Sequence, residues 1–238
     1  MNALIVYAHP EPHSFNAALR DAAADLLRGQ GHAVEVSDLY AMNFKAVVDR
    51  DDFLTCHDAQ RFNVSLEQRH AHVHGGLAPD IRSELDRLQR ADLLILQFPM
   101  WWFGMPAILK GWIDRVFVSG AVYGRSAMFE HGKLRGKRAL VCVTTGAPAE
   151  AFGPGSLNGD VLDLLAPLHR GVLAFTGMTV LPPHVVCHVP YAGAEGRAGM
   201  LDAYRAHLLG LDAMVPLPMP RMADHPMPHE GGTRPRAQ

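Results

Sequence analysis

The stretch AHPEPHSFN, residues 8–16, gathers His9, His13, Ser14, Phe15 and Asn16 where an apolar run gives way to a helical pattern. Ser14 is an N-cap residue type for a helix starting near Phe15. The open N–H groups of such a first turn, with histidine donors beside them, attract an anion. The same residues also describe an ordinary capped helix. A second stretch, QFPMWWFGMPAILKGW, holds all 3 tryptophans of the chain. Pro99 stops a strand, Met100, Trp101, Trp102 and Phe103 follow in a loop, and Gly104 lets the backbone approach a neighbour closely. Flat side chains there offer face and edge contacts to a planar ring, and a dimer contact or core plug is the competing role. In a third stretch, VTTGAPAEAFGPGSLNGD, Thr144, Thr145 and Gly146 supply small residues and free backbone N–H groups for the polar edge of a ring system.

Each of these stretches follows a strand, and the strands recur in a regular alternation. NALIVYAH is a buried strand and residues 14–32 carry helical spacing. Strands are predicted at 33–36, 93–98, 139–144 and 179–186, and helices at 80–90, 106–117, 158–169 and 194–209. Five apolar strands separated by helices imply a parallel sheet covered on both faces, with its ligand site beyond the carboxyl ends of the strands. The first turn lacks G-x-G-x-x-G, which argues against a nicotinamide-binding Rossmann domain. A doubly wound, flavodoxin-like sheet of order 2-1-3-4-5, which holds a flavin phosphate at a helix start, suits the turn better. The tryptophans then read as a wall for the flavin ring.

Residues 49–77 and 119–134 are too long for ordinary connections and are expected to form walls of the site. Residues 1–212 are expected to make one domain. The segment 213–238, rich in Pro, reads as an extended arm that frays at its end.

Composition narrows the partners. The 238 residues carry a formal net charge of −2, which gives no electrostatic case for nucleic acid or an anionic membrane. A small molecule or another protein is the expected partner. Cys56, Cys142 and Cys187 are widely spaced among apolar neighbours and are expected to be buried, reduced thiols. No apolar run approaches the ~20 residues of a membrane span, so a cytoplasmic location is expected.

The motifs SDLYAMNF, LAPDI, QFPMWWFGMPAILKGWIDRVF, TTG and FTGMTVLPP resemble the NAD(P)H:quinone oxidoreductase family, of the DT-diaphorase type, over roughly residues 3–220. The resemblance implies a homodimer with FAD at the subunit interface, and NAD(P)H and quinone taking turns over the flavin. By position, His9, His13, Ser14, Phe15 and Asn16 would bind the pyrophosphate and ribityl region. Pro99, Met100, Trp101, Trp102, Phe103, Thr144, Thr145 and Gly146 would hold the flavin ring. Asn63, Asp114 and Arg197 match positions near the adenine end and favour FAD over FMN. Trp102, Phe103, Tyr123, Met128 and Phe175 match the substrate pocket, reaching in part to the flavin of the other subunit.

Departures fall on the chemistry. Where the family has a tyrosine and a histidine that accept and pass on charge, this chain has Phe152 and Asn158. Phenylalanine cannot donate a hydrogen bond, and Asn158 donates without titrating. Fixed donors such as the Gly146 N–H would then carry the stabilisation. Arg125 replaces an aromatic wall residue, which would admit polar or anionic acceptors; a solvated loop arginine is the competing role. HAHVH spaces His70, His72 and His74 for one face of a strand, a zinc or copper arrangement, but no Cys, Asp or Glu ligand stands in a familiar spacing, so surface histidines and no metal are expected. A regulatory flavoprotein subunit of a potassium efflux system and a nitro- or azo-compound reductase are the alternative functions.

Overall fold

The computed structural model describes residues 1–225; the outer part of the C-terminal arm, expected to fray, lies outside the described residues. Strand β1 (Asn2–Tyr7) is buried from Ala3 onward, which is why it reads as an unbroken apolar run. Helix α1 (Phe15–Gly29) follows, with Ser14 Oγ accepting from the Ala17 N–H at 3.1 Å. Next come β2 (Ala33–Asp38), α2 (Val64–His74), α3 (Pro79–Arg90), β3 (Leu93–Pro99), α4 (Ala107–Val116), β4 (Arg138–Thr144) and α5 (Val161–Leu168). The chain closes with β5 (Thr179–Val180), β6 (His184–Val186) and α6 (Ala194–Leu209). All ladders are parallel, in the order β2-β1-β3-β4-β5. This is the flavodoxin-like order that the strand pattern predicts.

Two apolar layers enclose the sheet. On one face, Leu85, Trp112, Val116 and Leu168 from α3, α4 and α5 pack with Phe98. On the other, Leu19 and Leu27 of α1 meet Tyr204 and Leu208 of α6. Each fully buried large side chain is worth about 1.5–3 kcal/mol over leaving it in water.

The structure departs from the sequence pattern in several places. The single strand predicted at 179–186 is broken by Pro182 and Pro183, which have no N–H to give to a ladder. Both fragments still pair with β4: Thr179 opposite Arg138, and His184 opposite Cys142. The helix predicted at 158–169 starts only at Val161, capped by Asp160 Oδ1 accepting from Leu162 N–H at 2.8 Å, and it runs on as a wide π-type turn to Ala174.

The 49–77 excursion holds a short 3-10 turn at Arg50–Asp52 and helix α2. Asn63 caps α2, and Gly75, at φ 71°, closes it in the left-handed conformation. These end signals override the two-residue alternation of HAHVH. His70 and His74 therefore lie one turn apart with ring centroids 4.4 Å apart, while His72 points elsewhere, half-buried, its pKa lowered by desolvation. Among the described residues, no group of three His, Cys, Asp or Glu is placed to hold a metal. A buried ion pair ties the excursion down: Arg115 meets Asp52 at 2.9 Å and Asp80 at 2.6 Å. Cys142 is buried, but Cys56 lies exposed in the loop before α2 and Cys187 is only half-buried. Of the apolar residues before Cys56 in sequence, Phe53 packs against a core layer while Leu54 is exposed.

The 119–134 excursion docks on the turn after α5, where Phe129 N–H donates to Phe175 O at 2.8 Å. Gly132 lies so close to the Thr176 backbone that a Cβ there would collide with it. The arm is anchored as far as it is described. Leu217 N–H donates to Val180 O at 2.9 Å, and the Glu130 carboxylate accepts from Met222 and Ala223 N–H at 2.9 and 3.1 Å. Those two donors hold the Glu130 pKa below the usual carboxylate range. Among the described residues, no helix is long and apolar enough to cross a membrane.

Candidate cofactor and active site

Three loops leave the carboxyl ends of β1, β3 and β4, which are adjacent in the sheet. At the first, the N–H groups of Phe15 and Asn16 open α1 with no hydrogen-bond partner among the described residues, at the positive end of the helix dipole. Tyr7, at the end of β1, places its hydroxyl 3.1 Å from Ser14 Oγ, and its pKa is raised chiefly by burial. His9 holds the turn, its Nδ1 accepting from Glu11 N–H at 3.0 Å.

Beneath these loops runs a buried polar line. Gln97 Nε2 donates to Asn16 Oδ1 and Asn16 Nδ2 donates to Thr144 Oγ1, each at 2.8 Å. It joins β3, α1 and β4 just below the ligand edge. The Asn16 side chain is thereby committed to the protein, and what Asn16 offers outward is its N–H. Gln97 was not singled out in the sequence, although a lone glutamine inside the otherwise apolar strand LLILQFP is the visible signal.

At the second loop the four residues 101–104 form a tight turn. Trp101 N–H donates to Gly104 O at 2.9 Å and Gly104 N–H returns to Trp101 O at 3.0 Å. The two central residues, Trp102 and Phe103, have φ of 51° and 59°. That conformation normally selects Gly, Asn or Asp, and costs other residues about 1–3 kcal/mol each. The turn thereby holds Trp102 out, 99% exposed, with Phe103 and Trp101 partly exposed beside it. His9 and Trp101 rings stand 6.4 Å apart, so the first and second loops adjoin. Met100 N–H donates to Thr144 O at 2.8 Å, so the second and third loops are also joined.

At the third loop the Thr145 N–H, which the sequence pattern leaves free, is occupied: it donates to Val186 O at 2.8 Å. β6 continues alongside β4 and takes that group. Thr145 Oγ1 donates to Ala147 O at 2.8 Å, and the exposed Gly146 keeps an N–H without a partner among the described residues. Phe152 and Asn158 follow in the same loop, both half-buried.

The remaining candidate residues lie elsewhere. Tyr123, Phe175 and Asp114 line a cleft of about 490 Å³ bounded by α2, α4 and the turn after α5. The Tyr123 and Phe175 rings are 5.9 Å apart. Met128 is half-buried in the same excursion, and Arg125 is exposed in the two-residue turn closed by Gly124 and Ala127. Asn63 is exposed at the start of α2 with its Oδ1 accepting from Leu66 N–H at 3.3 Å; Asp114 pairs with Lys110 at 2.7 Å. Arg197 is exposed in the first turn of α6, in the layer on the opposite face of the sheet from Asn63 and Asp114. Within one chain, then, the residues matched to the flavin ring and phosphate come together, and those matched to the adenine end and the acceptor wall do not join them.

A 2-1-3-4-5 parallel sheet whose ligand edge carries an open helix start, an aromatic turn and a free glycine N–H defines a flavodoxin-like protein, and residues 1–208 match the family described as having the flavodoxin-like fold. The chain is 43% identical over 216 residues to human ribosyldihydronicotinamide dehydrogenase [quinone], covering 90% of this chain and 94% of that protein. It is 39% identical to rat NAD(P)H dehydrogenase [quinone] 1, over 87% of this chain and 76% of the relative. Among solved structures, a putative quinone reductase from Klebsiella pneumoniae superposes with a TM-score of 0.90 at 39% identity, covering 93% of this chain and 89% of that one. The chain belongs to the NAD(P)H:quinone oxidoreductase family.

Proposed function

We propose that the protein is a flavin-dependent oxidoreductase that passes a hydride from a dihydronicotinamide donor to a quinone in a ping-pong cycle. The observation that carries this reading is the meeting, at one sheet edge, of the open Phe15 and Asn16 N–H groups, the aromatic turn and the free Gly146 N–H. These fit a flavin: an anion site for its phosphate, flat side chains for its ring and a donor for its polar edge. A bound flavin supplies the hydride-accepting and hydride-giving chemistry. Ser14 and the first turn of α1 anchor its phosphate end. Trp102 and Phe103 orient the ring and exclude water, and the Gly146 N–H and the Asn158 amide stabilise negative charge at the polar edge.

The finer parts of the reading follow from the separation of the two residue groups. A homodimer would bring Tyr123, Met128 and Phe175 of one copy over the aromatic turn of the other, with Arg125 at the rim. It would also bring Asn63 and Asp114 of one copy toward Arg197 of the other. FAD, whose adenine end those three would hold, is therefore the cofactor proposed over FMN, and the cytoplasm the proposed location. The donor is NAD(P)H or, as the name of the human relative indicates for that protein, ribosyldihydronicotinamide. Nitro and azo compounds are acceptors compatible with the same hydride step.

Phe152 supports one second reading. A residue that moves no proton beside the flavin suits a regulatory flavoprotein with small catalytic demand, such as a subunit controlling potassium efflux. One preparation tests both readings. The purified protein should be yellow, release FAD on denaturation and oxidise NADPH or ribosyldihydronicotinamide with a simple quinone. A yellow protein that turns over neither donor selects the regulatory role, and a colourless one that takes up no flavin removes both.

A further inference from the structure

The loop from Ala151 to Gly159 carries both departures from the family's charge-handling pair, yet little outside it dictates its shape. Gly153, Gly155 and Gly159 have φ of 129°, 76° and 76°, conformations that other residues rarely adopt. A Cβ placed on any of the three would meet nothing within 4 Å, so these glycines are not there to let a neighbour approach. They are positions of high backbone freedom, and a loop with three of them is entropically expensive to hold in one shape. Leu157 is 95% exposed and adds no apolar anchor, which leaves the half-buried Phe152 as the loop's large apolar contact.

One side chain gathers the loop. Ser156 Oγ lies 3.0 Å from Ala151 O, 2.9 Å from Gly153 O and 3.3 Å from Gly159 O. Two of those carbonyls also receive the cross-loop backbone bonds: Asn158 N–H donates to Ala151 O at 3.1 Å, and Gly153 N–H to Gly159 O at 3.0 Å. The single hydroxyl proton serves one of these carbonyls at a time, so the Ser156 side chain, lodged among all three, ties the two rungs of the loop to each other. No other side chain between Ala149 and Gly159 makes a hydrogen bond among the described residues.

We infer that Ser156 is a positioning residue, the buckle that sets the distance between Phe152 and Asn158 and so aims the Asn158 amide at the polar edge of the flavin. The inference rests on the reading of this edge as the flavin site. Its chemistry is indirect: Ser156 touches neither cofactor nor substrate, and it acts by removing the freedom the glycines introduce. A neutral donor such as Asn158 stabilises charge only when fixed, so the loss of the buckle appears in the hydride step and not in flavin affinity, which the helix start and the aromatic turn supply.

The test compares Ser156→Ala with Ser156→Thr, which keeps the hydroxyl. In flavin-free protein, amide exchange of Asn158 and Gly153 should rise roughly tenfold in Ser156→Ala and stay near the wild-type value in Ser156→Thr, with the melting temperature of both unchanged. In the flavin-loaded protein, Ser156→Ala should slow flavin reduction by NADPH roughly tenfold with flavin Kd unchanged, and Ser156→Thr should restore it. Unchanged exchange in Ser156→Ala overturns the buckle. Faster exchange with an unaltered reduction rate, or an equal loss in the two variants, overturns the positioning role. Failure of the wild-type chain to take up flavin is a separate outcome, which removes the functional reading while the exchange comparison still decides the buckle.

Discussion

The side chains of Gln97 and Asn16, 81 residues apart in sequence, meet 2.8 Å from each other in a site closed to solvent, and Asn16 passes the contact on to Thr144. This line fixes the helix start that offers its N–H groups outward to the ends of β3 and β4. Asn16→Ala leaves buried Gln97 and Thr144 groups without partners and should destabilise the fold by about 1–3 kcal/mol. Urea unfolding measures it. A midpoint equal to wild type would mean that water or a rearranged Gln97 replaces the amide.

Trp102 yields a prediction with two opposite signs. It is fully exposed and in a left-handed conformation, so Trp102→Gly removes strain and should raise stability by up to about 1 kcal/mol. The same change deletes the largest ring of the proposed flavin wall and should weaken flavin or acceptor binding by about 1–3 kcal/mol. Calorimetry of the flavin-free protein and flavin titration together separate the effects. Unaltered affinity and kinetics would leave the tryptophan with a contact role only.

Restoring the family pair addresses charge handling. Phe152→Tyr with Asn158→His should speed flavin reduction and introduce a pH dependence near the histidine pKa of ~6.5, and each change alone should do less. Stopped-flow reduction by NADPH across the weakly acidic to weakly basic range reads both. If the double variant keeps the wild-type rate and profile, these two positions do not govern the step.

Acid should destabilise the fold through buried histidines. Burial depresses His169 from the ordinary 6.5 to about 4, and His184, packed on Tyr204 and His207, to about 4 as well. Both rings are neutral bases in the fold. The unfolded chain takes up their protons below about 6.5 and the folded chain only near 4, so stability present at neutral pH is lost as pH falls through that interval. For His169, which is almost fully buried, the loss approaches about 3 kcal/mol, and for the more accessible His184 it is smaller. Urea midpoints at pH 7 and pH 4.5 measure it. His169→Leu should flatten the slope, and an identical slope in that variant would assign the acid sensitivity to other groups.

The strand pattern, the helix start at Ser14 and the aromatic turn were legible in the sequence because each depends on local composition: a buried run, a cap and a Pro stop. What escaped depends on partners distant in the chain. Gln97 has meaning only beside Asn16, and Thr145 loses its free N–H only because β6 resumes alongside β4 after two prolines. The two-residue period of HAHVH suits one face of a strand, but the cap at Asn63 and the left-handed Gly75 that enclose it make it the last turns of a helix. Ser156 escaped because a serine in a glycine-rich loop is unremarkable until its three carbonyl neighbours are known.

The Pro182–Pro183 interruption has a consequence for how the protein behaves in a crowded solution. It falls on the rim of the sheet and leaves there, among the described residues, two fragments of 2 and 3 residues, each too short to template an incoming chain, with the arm's Leu217 N–H already on Val180 O. The opposite rim, β2, carries Glu35 engaged by Arg90 at 3.0 Å and by Arg87 at 3.4 Å, so an invading strand would have to displace those ion pairs. Replacing both prolines with valine would join the fragments into one continuous strand at the border and make the chain more prone to edge-to-edge aggregation on concentration.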